Sequence, residues 1–252
     1  MFTHLLVGLD GSPRADGALE QAVVLGERFH STITVAHVRE SGGGAKQADA
    51  GAMLERARER VLAAGLVAEL VERQGEPDVV LAELAKPADA VLVGRHGVTS
   101  QGEALGPTVA SLIRIAERCV VVCAGVASPM RSCAIAFDGR ETSRRALDLA
   151  ARFASIVGST VHVIHAAADR EAGLQVVGEA EAALSLQRVV FVTHIEPGTP
   201  GEVVARVVKR IRCDALFAGA HVTRQEGRPS GVVVSHAEEI LRYTDIPVVI
   251  QP

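Results

Sequence analysis

Residues 93–108, VGRHGVTSQGEALGPT, place four glycines directly behind an apolar run. Gly94 and Gly97 can adopt the positive φ that turns successive backbone N–H groups toward an anion. Gly106, Pro107 and Thr108 then open a helix, whose unpaired N–H groups and dipole favour a phosphate, and Thr108 adds a hydroxyl. Pro107 at the first helical position removes an N–H that has no intrahelical partner anyway. Gly8 and Leu9 lead to Asp10, which ends the first apolar run and is placed to accept from a base amino group or a ribose hydroxyl. Together these residues are suited to holding a nucleotide. A plain flexible loop accounts for the glycines equally well, and Asp10-Gly11-Ser12 is also an ordinary turn with Ser12 as a helix N-cap. His96 reads as a solvated loop histidine sooner than as a general base. Neither G-x-x-x-x-G-K-[ST] nor G-x-G-x-x-G occurs, so neither a P-loop NTPase nor a dinucleotide-binding site is supported.

A second stretch, AGAHVTRQEGRPSGVVVS at residues 218–235, begins in the same way but has Val222 where the first has Gly97. A β-branched residue is a genuine outlier at positive φ, so this loop cannot follow the first one's path cheaply. Counted from Gly219, Gly231 takes the place of Gly106; counted back from Arg242, Val234 does. Either way the second cradle is weak, although Asp138 is kept where the first half has Asp10. The chain therefore reads as one working site beside a relic or a differently used one.

These residues recur because the chain is a duplication. Asp10 matches Asp138, Ala18-Leu19 match Ala146-Leu147, His37 matches His165, and Ile113-Arg114 match Leu241-Arg242, all 128 residues apart. The expected domains are residues 1–127 and 128–252, divided near AGVASPM. Each half reads as five short apolar strands alternating with four helices. In the first half the strands are HLLVGL, TITVAHV, VAELVERQ (near an edge), DAVLVG and CVVVC. The first helix carries Ala15, Ala18, Leu19, Ala22, Val23, Gly26 and Phe29 at helical spacing. SGGG at 41–44 reads as a loop, followed by a helix over 46–64 with Leu54, Ala57 and Val61 on one face. A third helix spans 77–86, and a fourth runs through Ala116. Continuous apolar strands alternating with helices imply a parallel sheet covered on both faces, and right-handed crossovers make it a doubly wound αβα sandwich. Ligands of such sheets sit beyond the carboxyl ends of the strands, where strand order reverses.

Composition narrows the function classes. Hydrophobic residues form 48% of the 252, enough for a globular core. Net charge is −4, with no Trp and one Tyr, so the basic face and stacking aromatics of a nucleic-acid binder are missing. No apolar run approaches the roughly 20 residues of a membrane span. MFTHLLVGLDGS lacks a basic stretch and reaches Asp10 too soon for a signal peptide, so the expected compartment is the cytoplasm. Cys119, Cys123, Cys133 and Cys213 have no partner motif with metal-ligand spacing and read as buried thiols.

The assembled pattern resembles the universal stress protein family in its tandem, two-domain form. The resemblance rests on VGLDGS and IAFDGR ending the first strands, AHV and IHA ending the second, LVGRHG and LFAGAH at the fourth, and CVVVC and IPVVI as the last. It covers nearly the whole chain. It implies the adenine nucleotide alpha hydrolase-like fold. Nucleotide-binding members carry G-x2-G-x9-G-[ST]. Carried over by position, the resemblance implies that Asp10 and the backbone of Val38 hold adenine, and that Gly94, Arg95, His96, Gly97, Gly106 and Thr108 surround ribose and phosphates. The implied cofactor is ATP, alone or with Mg2+. Here eight residues, not nine, separate Gly97 from Gly106, and Pro107 stands where the family has Ser or Thr. The reading that follows is a regulatory nucleotide binder linked to stress. A slow ATP hydrolase and a nucleotide-free scaffold acting through protein partners are the alternatives.

The family also implies an internal pairing of the halves as a pseudo-dimer, with a homodimer as a further expectation. CVVVC and IPVVI are apolar, and exposed apolar edge strands invite pairing. Separately expressed halves are expected to dimerise or aggregate. Halves that stay monomeric and soluble at high concentration in a sedimentation experiment overturn that arrangement.

Overall fold

The computed structural model describes residues 1–40, 50–97, 105–220, 222–224 and 233–252. It divides into two units, Met1–Ser128 and Pro129–Pro252.

The first unit runs β1 (His4–Leu9), α1 (Pro13–Phe29), β2 (Thr32–Arg39), α2 (Ala50–Ala63), β3 (Val67–Gln74), α3 (Pro77–Ala85), β4 (Ala90–Gly94), α4 (Pro107–Ile115) and β5 (Cys119–Cys123). Its strands lie in the order β3-β2-β1-β4-β5, with every neighbouring pair parallel. The chain steps from β1 outward to β3, then returns across β1 to β4, so the reversal lies between β1 and β4. Both strands are apolar runs buried on two faces, as a covered parallel sheet requires. β3 is the edge of this order and alternates between half-buried and exposed residues. Leu54, Ala57 and Val61 form the buried stripe of α2. The 41–44 loop and residues 46–49 of the expected second helix lie outside the described residues.

Local chemistry fixes the entry to α1. The Ser12 hydroxyl accepts from the Ala15 N–H at 3.2 Å, and Pro13 occupies the first turn. Gln21, about two turns further, is fully buried, which periodicity did not anticipate. Its side-chain N–H donates to the Ser128 carbonyl (3.0 Å) and its Oε1 accepts from the Ser128 N–H (2.8 Å), tying the end of the unit to α1.

Asp89 secures the start of β1 in the same way. Its Oδ2 accepts from the backbone N–H groups of Thr3 and His4 and from the Thr3 hydroxyl. Burial opposes its charge, but these hydrogen bonds outweigh it and hold the carboxyl below its ordinary value. The folded state therefore favours the ionised form. This contribution to stability is present above the unfolded value of about 4 and is lost as pH falls through the lower folded value. Asp89→Asn is expected to lower stability at neutral pH and to flatten the loss that sets in as pH falls below about 4. Denaturant melts across that range check it, and parallel curves for the two proteins overturn it.

The second unit repeats the plan with β6 (Cys133–Ala136), α5 (Glu141–Val157), β7 (Val161–Ala166), α6 (Arg170–Leu186), β8 (Phe191–Glu196), α7 (Pro200–Ile211), β9 (Ala215–Gly219), α8 (His236–Tyr243) and β12 (Val248–Gln251). Its parallel order is β12-β9-β6-β7-β8, with the reversal between β6 and β9. Asp214 takes the part of Asp89, accepting from the N–H groups of Arg131 (3.0 Å) and Ser132 (2.6 Å). Between β9 and α8 the second unit also holds an antiparallel pair, β10 (Val222–Arg224) with β11 (Val233–Ser235); among the described residues the first unit has no counterpart.

All four cysteines are buried and free. Burial pushes the Cys119 thiol up to about 12, with the Asp89 charge adding to the shift, and burial raises Cys123 further. Thiols this hard to ionise are poor metal ligands. Among the described residues no group of three or more His, Cys, Asp or Glu side chains is placed to hold a metal ion.

Candidate nucleotide site

The ends of β1 and β4 bring together most of the residues singled out for binding. Asp10 follows β1 directly and is exposed. Its Oδ1 accepts from the Ser12 N–H at 2.9 Å, and Gly11 between them has φ +80°, which favours glycine. The same turn recurs at Asp138, whose Oδ1 accepts from the Arg140 N–H at 3.0 Å across Gly139 at φ +76°. Asp10-Gly11-Ser12 is therefore a turn and a cap, and it fixes the carboxylate at the strand end.

Gly94 and Gly97 are needed for a reason other than the expected one. Neither has a positive φ. A Cβ on Gly94 would lie 2.7 Å from the Arg14 carbonyl carbon, 2.8 Å from its oxygen and 3.0 Å from the Ala15 nitrogen. Glycine at this position lets the end of β4 close on the backbone of α1. A Cβ on Gly97 would lie 2.6 Å from Asp10 Oδ2, so the turn after β4 meets the carboxylate at the end of β1. Both glycines serve close approach and not left-handed geometry.

Arg95 and His96 lie between them. His96 is 5% exposed, not the solvated histidine expected of a loop, and Arg95 is buried beside it. The Arg95 carbonyl accepts from the Gly106 N–H at 3.0 Å, which ties the turn to the start of α4. Gly106 caps α4 with φ −61° and no capping side chain, Pro107 occupies the first turn, and Thr108 follows half-buried. Gly106 thus offers the first-turn N–H groups of α4 no side-chain acceptor. Residues 98–104 lie outside the described residues.

His37 and His165 each bind a strand end. His37 Nδ1 bonds the Leu9 carbonyl at 2.8 Å, and His165 Nδ1 bonds the Phe137 carbonyl at 2.8 Å. Each ring ties the end of the second strand of its unit to the end of the first. Val38 is half-buried one residue beyond His37. Gly8 lies against α3: a Cβ there would approach the Leu81 side chain at 3.1 Å.

Two cavities adjoin these strand ends. In the first unit a cavity of about 500 Å³ reaches Leu9, Asp10 and His37 but opens on the α1–α2 side, toward Met53, Arg56 and Arg60. It does not include Gly94 to Gly97. In the second unit a cavity of about 200 Å³ lies over the reversal itself, lined by Asp138, Thr142, Ala166, Val204, Gly219 and Ile240. It is smaller than the roughly 300–1,000 Å³ of pockets for drug-sized ligands. A Cβ on Gly219 would lie 2.5 Å from the Thr142 carbonyl carbon, the counterpart of the Gly94 approach.

The second glycine stretch takes a different course. The repeat offset is 128 at His37 and His165, 125 at Gly94 and Gly219, and 128 again at Ile113 and Leu241. The second unit thus has three more residues between its fourth strand and last helix. Val222 begins β10 there, in the extended backbone that suits a β-branched residue. Gly231, one of the two candidates for a second-half counterpart of Gly106, lies outside the described residues; the other, Val234, pairs with Thr223 in β11.

Comparison with known proteins follows this division. The Universal stress protein family matches residues 1–124 and again residues 130–252. A universal stress protein from Archaeoglobus fulgidus DSM 4304 is similar over 98% of this chain and 95% of its own, at 21% identity and a TM-score of 0.79. A putative universal stress protein from Pseudomonas aeruginosa UCBPP-PA14 is similar over 99% and 93%, at 16% identity and a TM-score of 0.71. A universal stress protein solved in complex with cAMP matches 47% of this chain and 94% of its own, at 28% identity and a TM-score of 0.40. No curated protein sequence matches at a significant level. No helix among the described residues is long and apolar enough to cross a membrane.

Proposed function

The chain belongs to the universal stress protein family, matched once by each half, and from that premise we propose that it is a regulatory nucleotide binder holding one ATP in its first half. The observation behind this reading is the meeting of Asp10 with Gly97, with a Cβ at Gly97 only 2.6 Å from the carboxylate. It sets a hydrogen-bond acceptor for the adenosine end beside the turn that leads to α4. Arg14, Arg95 and the first-turn N–H groups of α4 supply positive potential for phosphates on the other side. The second half keeps the Asp138 turn but has β10 in the stretch that begins like the first half's glycine turn. This favours one nucleotide per chain over two.

Mass spectrometry of what the purified protein releases on denaturation, followed by calorimetry with ATP, tests the reading. One adenine nucleotide per chain is expected. Asp10→Ala should weaken binding and reduce the preference for adenine over guanine, whereas Asp138→Ala should change little. A stoichiometry near two overturns the one-site assignment. A protein that carries no nucleotide and shows no thermal shift with ATP is the scaffold instead. Turnover that disappears in His96→Ala makes it a hydrolase.

A further inference from the structure

His96 is a buried polar group in the turn after β4. Its Nδ1 has no hydrogen-bond partner among the described residues, although the side chain is 5% exposed. It sits between Gly97, which meets Asp10, and Arg95, whose carbonyl holds the Gly106 cap of α4. The charged groups acting on it are Arg14, from the first turn of α1, and Arg95 beside it. Asp10, from the end of β1, is the carboxylate against this turn. A buried polar atom without a partner costs free energy, and two nearby guanidinium groups oppose a further positive charge. An anion relieves both, because it accepts from the orphaned nitrogen and offsets the guanidinium charges.

Resting on the nucleotide reading above, we infer that His96 is neutral in the empty site and takes up a proton when a phosphate enters. Both ring nitrogens then carry hydrogen, and the orphaned Nδ1 becomes a charge-assisted donor to a phosphate oxygen. The proton comes from solvent, so nucleotide binding is coupled to pH. Burial, and then Arg14 and Arg95, hold the empty-site imidazole below its ordinary value, consistent with this sequence of charge states. The sign follows by linkage. Above the bound-state midpoint His96 is neutral with or without ligand, and below the empty-state midpoint it is charged in both. Between the two, affinity for ATP rises as pH falls. His96 is thereby a specificity residue for charged phosphate, favouring ATP over adenosine.

Histidine NMR of the whole chain with and without saturating ATP is the test, with His96→Gln identifying the resonance. The His96 midpoint is expected to rise by about one pH unit or more, equivalent to about tenfold tighter binding by the protonated form. The terminal phosphate of ATP titrates near pH 6 itself, so calorimetry compares wild type with His96→Gln. Greater proton uptake by the wild type supports the inference. If calorimetry shows ATP bound but the His96 midpoint unmoved, the inference falls and the nucleotide reading stands. If no ATP binds, both fall.

Discussion

Gly97→Val is expected to weaken ATP binding by about a hundredfold or more. A Cβ at this position would lie 2.6 Å from Asp10 Oδ2, and valine adds two methyl groups beyond it. Asp10 cannot swing aside freely, because its Oδ1 accepts from the Ser12 N–H at 2.9 Å at the entry to α1. The turn must move instead, and it carries Arg95, His96 and the Gly106 cap with it. Loss of two charge-assisted contacts, at about 1.5–3 kcal/mol each, gives the stated factor. Calorimetry on wild type, Gly97→Val and Asp138→Ala measures it. A Gly97→Val protein that binds as tightly as wild type removes the first-half site from consideration.

The second large effect is on stability. Gly94→Ala and Gly219→Ala each place a methyl group within 2.5–2.8 Å of the backbone that opens α1 or α5. No side-chain rotation relieves a clash with main-chain atoms, so the strand end and the helix start must separate. Overpacking of this kind costs about 1–3 kcal/mol. That corresponds to a fall of roughly 4–12 °C in the melting of the affected unit. Gly178→Ala is the control. It lies inside α6 with nothing within 4 Å of a Cβ, and alanine there should stabilise by about 1 kcal/mol. Calorimetric melts of the three variants check the set. If Gly94→Ala and Gly178→Ala shift in the same direction, close approach is not what requires Gly94.

The elements and their order were readable in advance because apolar period and length are local properties. β3 ran over VAELVERQ as expected and took the sheet edge, since its alternation suits a strand with one covered face. Leu54, Ala57 and Val61 faced inward because a helical stripe has one side to bury. The duplication, too, is a property of the string of residues, and the 128-residue offset alone pointed to two similar units.

What depended on contacts between distant residues was not readable. Gln21 looked like one more polar helix residue until Ser128, 107 positions away, supplied partners for both ends of its amide. Val222 marked the second stretch as different from the first, but gave no sign that β10 and β11 would pair there. That depended on three added residues and on backbone hydrogen bonds between strands. The composition of VGRHGVTS marked its glycines as special by itself, because only glycine lacks a Cβ. Whether that absence served positive φ or close packing was decided by what stands opposite: the Arg14 backbone for Gly94 and the Asp10 carboxylate for Gly97. His96 shows the same limit. Its type and position came from the sequence, whereas its burial beside Arg95 came with the closure of β4 on α1, which no local pattern encodes.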